Sequence, residues 1–130
     1  MNAAPDRDRH RINTAAVLIL LHTVAVIPLV IYIYINAADA AEASPLYSLM
    51  TGYVSVETMI SLMKAAIILT LIGSAMGIIS ATLALKRRMW KLTVILCFVS
   101  ATIAVFSLVG LIMGMAAFWL LLKAKPAFDD

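Results

Sequence analysis

The sequence predicts an all-α membrane protein with four transmembrane helices and an amphipathic helix on the outer face that leads into the second of them. Of its 130 residues, 64% are hydrophobic and 13% are charged, which is more apolar surface than one small globule can bury. Lys and Arg cluster at the ends of the apolar runs, as they do on the cytoplasmic side of membrane spans. The formal net charge of +3 therefore indicates topology and contact with lipid headgroups, and not nucleic-acid binding.

The second span and its basic end orient the rest of the chain. Residues 65–85 carry no charge and as a helix are about 32 Å long, which matches one hydrocarbon core. Four basic residues follow: Lys86, Arg87, Arg88 and Lys91. We therefore predict a transmembrane helix at 64–85 and a basic cytoplasmic loop at 86–91 that contacts headgroups.

The first span follows a short polar segment. Residues 1–11 are rich in charged side chains, which predicts a cytoplasmic tail. Residues 12–36 are mostly apolar and predict a transmembrane helix that is long enough to cross with some tilt. The apolar run with small residues after it resembles a signal peptide, but it is longer than a signal-peptide core. We expect an uncleaved signal anchor with its N-terminus in the cytoplasm.

The outer face is predicted from two short segments. Residues 37–43 contain no Lys or Arg, as in an outer loop. Ser and Thr then recur at spacings of four and three within 44–63, which predicts an amphipathic helix that lies at the interface or joins the second span as one helix bent near Gly52. Glu57 and Lys64 share a face of this helix and form either an interfacial ion pair or an ion or proton site.

The uncharged stretch 92–122 allows two topologies. As one helix it would be about 46 Å long, and as two helices that turn near 106–110 each would be only about 22 Å. Lys123 and Lys125 after it favour a return to the cytoplasm.

Charge therefore favours two helices. We predict transmembrane helices at 92–107 and 108–122 and a cytoplasmic tail at 123–130, with three spans as the runner-up. Trp90 and Trp119 lie near basic ends, as interface anchors do.

Small residues at helical spacing are the most specific pattern in the chain. They form three groups: Gly73, Gly77 and Ala81; Ser100, Ala104 and Ser107; Gly110 and Gly114. Because lipid provides no hydrophobic drive for helix association, helices in membranes approach closely at small residues. We expect these faces to be helix contacts, either within one chain or between copies.

His22 is the one ionisable residue well inside the first span. An interhelical hydrogen bond is the main interpretation, and ligation of haem or chlorin or a proton relay is the alternative. The chain has no second intramembrane histidine for a bis-histidine haem. It also lacks the H-E-x-x-H, P-loop and G-x-S-x-G motifs, so we predict no enzymatic activity and no metal site.

Residues 77–91 read Gly-Ile-Ile-Ser-Ala-Thr-Leu-Ala-Leu-Lys-Arg-Arg-Met-Trp-Lys. This span with glycines, its basic loop with a tryptophan and the two short apolar segments after it resemble small four-helix prokaryotic integral membrane proteins of unknown function. The resemblance covers about residues 73–128. It implies four spans and a prokaryotic plasma membrane, and no activity.

Small residues suited to helix packing are abundant in this sequence, and residues or motifs suited to catalysis are few. This favours an accessory or structural subunit of a larger membrane complex. Its partners would be lipids, other membrane subunits or copies of itself. The alternative is a small homo-oligomeric channel or carrier with Glu57 and Lys64 at its mouth. A third hypothesis is a subunit that binds a pigment or haem through His22.

Overall fold

The computed structural model describes residues 6–50, 52–104 and 108–128, without the side chain of Leu46. Within these ranges the chain is helical and has no strand. The elements are α1 (Asp6–Ile35), α2 (Ala37–Glu42), α3 (Pro45–Met50), α4 (Val56–Leu85), α5 (Trp90–Ile103), α6 (Leu108–Lys123) and a 3-10 turn (Lys125–Ala127). The predicted packing residue Ser107 and parts of the two predicted tails, 1–5 and 129–130, lie outside the described residues.

Four helices form an antiparallel bundle in which each helix packs on two neighbours. Helix α1 packs on α4 and α6, and α5 packs on α4 and α6. Helices α1 and α4 have 30 residues each and are about 45 Å long. Helices α5 and α6 have 14 and 16 residues and are about 21 and 24 Å long. The α5–α6 hairpin therefore covers about half of the long pair.

Two of the helices in the described ranges, α1 and α4, are long and apolar enough to cross a membrane. The prediction of an all-α chain is confirmed, but the structure has two such helices and not the four expected. The single long helix considered for 92–122 is wrong, because α5 and α6 fold back on each other. The ring centroids of Phe98 and Phe118 lie 5.3 Å apart across that contact.

Helix α1 begins at Asp6, within the segment predicted as a tail. Asp6 and Asp8 lie in its first turn, where carboxylates complement the helix dipole. The Arg11 guanidinium donates to the Asp8 carboxylate at 2.8 Å, one turn along the same helix. These local interactions extend α1 by about one and a half turns before the apolar residues predicted to form the first span.

The outer end differs from the predicted loop and amphipathic helix. The alanine-rich segment of the predicted loop forms α2, which buries Ala37 and Ala41 and packs on α4. The predicted helix 44–63 is interrupted, because α3 ends at Met50 and α4 begins only at Val56. The Ser55 hydroxyl accepts the Thr58 N–H at 3.2 Å and caps α4, so the second span starts eight residues earlier than expected.

The four bundle helices meet tightly at one end, which we call the basic end. Its core contains one buried cluster: Ile12, Ala15, Ala16, Ile19, Ala81, Ala84, Cys97, Ala117, Leu121, Ala124, Ala127 and Phe128. The last residues described, up to Phe128, pack into this cluster and so continue the core beyond α6. All ten Lys and Arg residues except Lys64 belong to segments at this end.

A tight turn joins α4 to α5. Arg87 has a φ of 53°, the Arg87 N–H donates to the Ala84 carbonyl at 2.9 Å, and the Arg88 N–H donates to the Leu83 carbonyl at 3.2 Å. This pair of hydrogen bonds is a Schellman motif, in which backbone N–H groups after the helix satisfy carbonyls of its last turn. The motif reverses the chain within four residues, so α5 starts at Trp90, inside the predicted loop.

Candidate functional site

The first glycine pair lies between helices of the same chain. A Cβ atom on Gly73 would come within 2.8 Å of Ile103, and one on Gly77 within 2.9 Å of the Ser100 hydroxyl. The Ser100 hydroxyl donates to the Gly73 carbonyl at 2.8 Å. Ala81, the third member of the stripe, is fully buried in the core of the basic end. This face of α4 is therefore occupied by α1 and α5.

The second glycine pair serves two different contacts. A Cβ atom on Gly114 would lie 2.6 Å from the Cβ and 3.0 Å from the Cα of Ala101, so α5 and α6 touch there almost backbone to backbone. A Cβ atom on Gly110 would overlap the His22 imidazole. Gly110 thus provides space for a side chain of α1, which the helical spacing of the glycines did not indicate.

Hydroxyl groups also form hydrogen bonds between α4 and α5, on the face of α4 that carries the first glycine pair. The Ser80 hydroxyl donates to the Thr93 carbonyl at 2.8 Å, and both residues are fully buried. The Thr93 hydroxyl in turn lies 3.2 Å from the carbonyls of Arg88 and Met89 and supports the turn. Inside a membrane each such bond satisfies groups that lipid cannot satisfy.

His22 lies where four cavities meet, level with the tip of the hairpin. Two are small, about 10 Å³ each, and two are grooves of about 310 and 340 Å³. Ala104, buried at the end of α5, lines three of them with His22. The imidazole makes no hydrogen bond with any described residue, so the predicted interhelical bond is not formed.

A ring of hydroxyl groups surrounds one small cavity beside His22. It consists of Thr23, Thr70, Ser74 and Ser100. Three of them donate to backbone carbonyls of Ile19, Ala66 and Gly73 at 2.6, 2.9 and 2.8 Å. Sequence analysis singled out Ser100 as a packing residue but not Thr70 or Ser74, because scattered Ser and Thr in an apolar helix do not show which of them face one another.

Glu57 and Lys64 lie apart and form no ion pair. In the residues that the structure describes, the one such pair joins Arg11 and Asp8. Lys64 instead places its Nζ 5.5 Å from the centre of the Tyr34 ring on α1, within cation–π distance. Glu57 lies in the first turn of α4, where a carboxylate complements the helix dipole.

The two tryptophans at the basic end have different environments. The Trp90 indole N–H donates to the Leu121 carbonyl at 3.0 Å, and Lys125 lies 5.1 Å from its ring. Trp119 is 58% exposed, with Lys123 at 4.8 Å. Trp90 therefore connects α5 to α6 at the basic end. Trp119 is exposed on the surface of the bundle, as an interface anchor is.

The basic loop residues Lys86, Arg88 and Lys91 are exposed and Arg87 is half-buried. Among the described residues no three His, Cys, Asp or Glu side chains come together as potential metal ligands. Compared with protein-family models, with curated proteins and with solved structures, the chain matches none. The resemblance to small four-helix membrane proteins stays a prediction.

Proposed function

We propose that the chain is a small non-catalytic integral membrane subunit that packs within a larger membrane assembly. Helices α1 and α4 are its two spans, and the α5–α6 hairpin enters and leaves the bilayer on the same side. The observation that carries the proposal is the difference in length between the long pair and the hairpin. Beyond the hairpin tip, α1 and α4 continue past the ends of α5 and α6 and pack on each other and on α2.

The depth of the hairpin tip supports this arrangement. Gly110, near the start of α6, lies against His22, and His22 is about 15 Å along α1 from Ile12, the first buried apolar residue of that helix. The hydrocarbon core of a bilayer is about 30 Å thick. The tip would therefore lie near the bilayer midplane.

A hairpin that stops at that depth leaves the far halves of α1 and α4 without α5 and α6 beside them. A partner subunit would cover the apolar side chains of those halves, and close helix packing supplies the attraction that lipid does not.

The partner we propose is a transmembrane helix that occupies the groove between α1 and α6. This groove has a volume of about 340 Å³. It is lined by Leu21, Ala25, Leu29, Val109 and Met113. The small Ala25 allows close approach of a helix, and methionine adapts to the shape of its neighbour.

Orientation follows from the charges. Lys and Arg at span ends are retained on the cytoplasmic side, which would hold the basic end and both termini. The resemblance noted above favours a prokaryotic plasma membrane. Large apolar side chains are exposed on all four bundle helices. This supports a lipid surrounding, since soluble monomers rarely expose large apolar patches.

The test is purification of the tagged chain from its own membranes in a mild detergent, followed by mass measurement of the complex. We expect stoichiometric co-purification of another membrane protein. The variant Ala25→Trp should lose that protein because it fills the groove. Val24→Trp, on the neighbouring and exposed position of the same helix, should keep it.

Other masses would contradict the proposal. A discrete homo-oligomer without another subunit would support the channel or carrier hypothesis instead. Equal retention of the partner by both tryptophan variants would show that it binds elsewhere. A coloured complex with the absorption of haem or chlorin would favour the pigment-binding hypothesis.

A further inference from the structure

Two polar side chains beside the hairpin tip have no hydrogen-bond partner among the described residues. Ser74 is only 7% exposed, and its side chain lines the small cavity next to His22. The neighbouring hydroxyls of Thr23, Thr70 and Ser100 already donate to backbone carbonyls. Because buried polar groups in native proteins are nearly always paired, the free hydroxyl of Ser74 indicates a polar atom in this cavity, where the half-buried imidazole of His22 can also donate to it.

The cavity lined by these two side chains borders a larger groove. The cavity has a volume of about 10 Å³, which is enough for about one water molecule or one carbonyl oxygen. His22, Thr70 and Ala104 also line the groove of about 310 Å³ between α1 and α4. That volume lies at the lower end of the range of about 300–1,000 Å³ for small-molecule sites.

The groove itself is apolar. Six of the side chains along it are Val26, Leu29, Val30, Ile33, Met63 and Ile67. One polar end and a long apolar wall are the usual construction of a small-molecule site, in which a few polar groups fix the orientation of an apolar ligand.

We propose that this site binds a membrane-soluble quinone, with a ring carbonyl that accepts hydrogen bonds from His22 and Ser74 and an apolar tail in the groove. The ligand must be neutral and must accept hydrogen bonds near the bilayer midplane. A phospholipid places only acyl chain at that depth, because its charged headgroup stays at the interface. Water in the small cavity with an acyl chain in the groove would fill the two spaces separately, whereas one quinone fills both, and the competition experiment below distinguishes them. The site rests on the membrane placement proposed above. It lies on the α4 side of α1 and shares His22, Val26 and Leu29 with the groove proposed for the partner helix, but its α4 wall belongs to this chain alone.

The test uses the full chain in lipid nanodiscs and an azido-quinone photolabel, with the modified peptides located by mass spectrometry. We expect labelling on α1 between residues 22 and 33 and on α4 between residues 63 and 74. Decylubiquinone should compete for it. Ala66→Phe, which fills the groove, should lower labelling at least tenfold, whereas Ala65→Phe, on the exposed side of the same helix, should leave it within twofold of the parent.

Two further variants separate the hydrogen bonds from the shape of the groove. His22→Leu combined with Ser74→Ala should lower labelling at least tenfold, and His22→Gln alone, which keeps a donor, should stay within threefold. Circular dichroism and thermal unfolding check that each variant is folded. Equal labelling of Ala65→Phe and Ala66→Phe, or equal competition by decylbenzene, which has no carbonyl, would overturn the proposal. Loss of the partner subunit with unchanged labelling would refute the proposed function alone.

Discussion

Gly114 and Ala101 form a close approach between α5 and α6. The Cβ that alanine would add at Gly114 lies 2.6 Å from one carbon of Ala101 and 3.0 Å from its Cα. The Cα belongs to the backbone and cannot rotate away. The Cys97 thiol also lies 3.9 Å from the Gly114 carbonyl, so this segment of the interface has little room to adjust.

We therefore expect Gly114→Ala to destabilise the chain. Overpacking a tight contact costs about 1–3 kcal/mol, from which the better helix propensity of alanine recovers up to about 1 kcal/mol. Thermal unfolding in detergent measures the difference. Gly52→Ala is the control, because a Cβ there meets nothing within 4 Å. An unchanged or higher melting temperature for Gly114→Ala would show that α5 and α6 do not touch at this position.

The contact of Gly110 with His22 shows the limit of the sequence pattern. A pair of glycines four residues apart predicts a close helix contact, but the same spacing can create space for a large side chain from a third helix. Gly114 does the first and Gly110 does the second. Only the position of α1 relative to α6 distinguishes them, and nothing in the sequence near His22 specifies it.

A double-mutant cycle tests that contact. Gly110→Ala should destabilise the chain by about 1–3 kcal/mol because its Cβ overlaps the imidazole. In a His22→Ala background the same change should cost little, because the clash is gone. Thermal unfolding of the four proteins gives the coupling. Equal costs in the two backgrounds would mean that the imidazole does not face Gly110.

At the scale of the elements, the turn between α4 and α5 places an ordinary side chain in a glycine-like conformation. Arg87 has a φ of 53° at the position after the helix end, where glycine is usual. The left-handed region costs residues with a Cβ about 1–2 kcal/mol. If this turn lies at the cytoplasmic border, as we propose, the positive charge of arginine is favoured there.

Arg87→Gly should therefore stabilise the isolated chain in detergent by about 1 kcal/mol. Arg88→Gly removes the same charge from a neighbour without a positive φ, so it should bring no gain. Thermal unfolding at matched ionic strength compares the two. A lower melting temperature for Arg87→Gly than for Arg88→Gly would contradict the Schellman geometry.

The long helices could be predicted from hydrophobic length, and their ends could not. Residues 65–85 are uncharged and do lie within α4, but the helix starts at Val56 because Ser55 caps it. The polar spacing that predicted an amphipathic helix is divided between α3 and α4. Local caps and turns decide such boundaries, and the Ser and Thr residues that recur within 44–63 do not show which of them caps a helix.

At the scale of the whole molecule, charge patterning predicted which segments meet. The basic segments come from the start of α1, the α4–α5 turn and the end of α6, and the fold gathers them at one end. The basic residues on both sides of the uncharged stretch 92–122 predicted that the chain turns back within this stretch and ends at the basic end. The length of the stretch did not decide how deep into the membrane the resulting hairpin reaches, because two short helices can either cross a thinned bilayer or stop halfway.

The measurement that tests this account most directly is the accessibility of the hairpin tip from outside the cell. The single cysteine, Cys97, is first replaced by alanine, and Leu108→Cys is then introduced at a position that is 72% exposed. Tyr53→Cys, 91% exposed at the opposite end, is the positive control. A membrane-impermeant maleimide is added to intact cells. We expect Tyr53→Cys to be labelled and Leu108→Cys to remain unlabelled, because we propose that the tip stops near the bilayer midplane. Labelling of both cysteines at similar rates would mean that α5 and α6 cross the bilayer, and it would contradict the account.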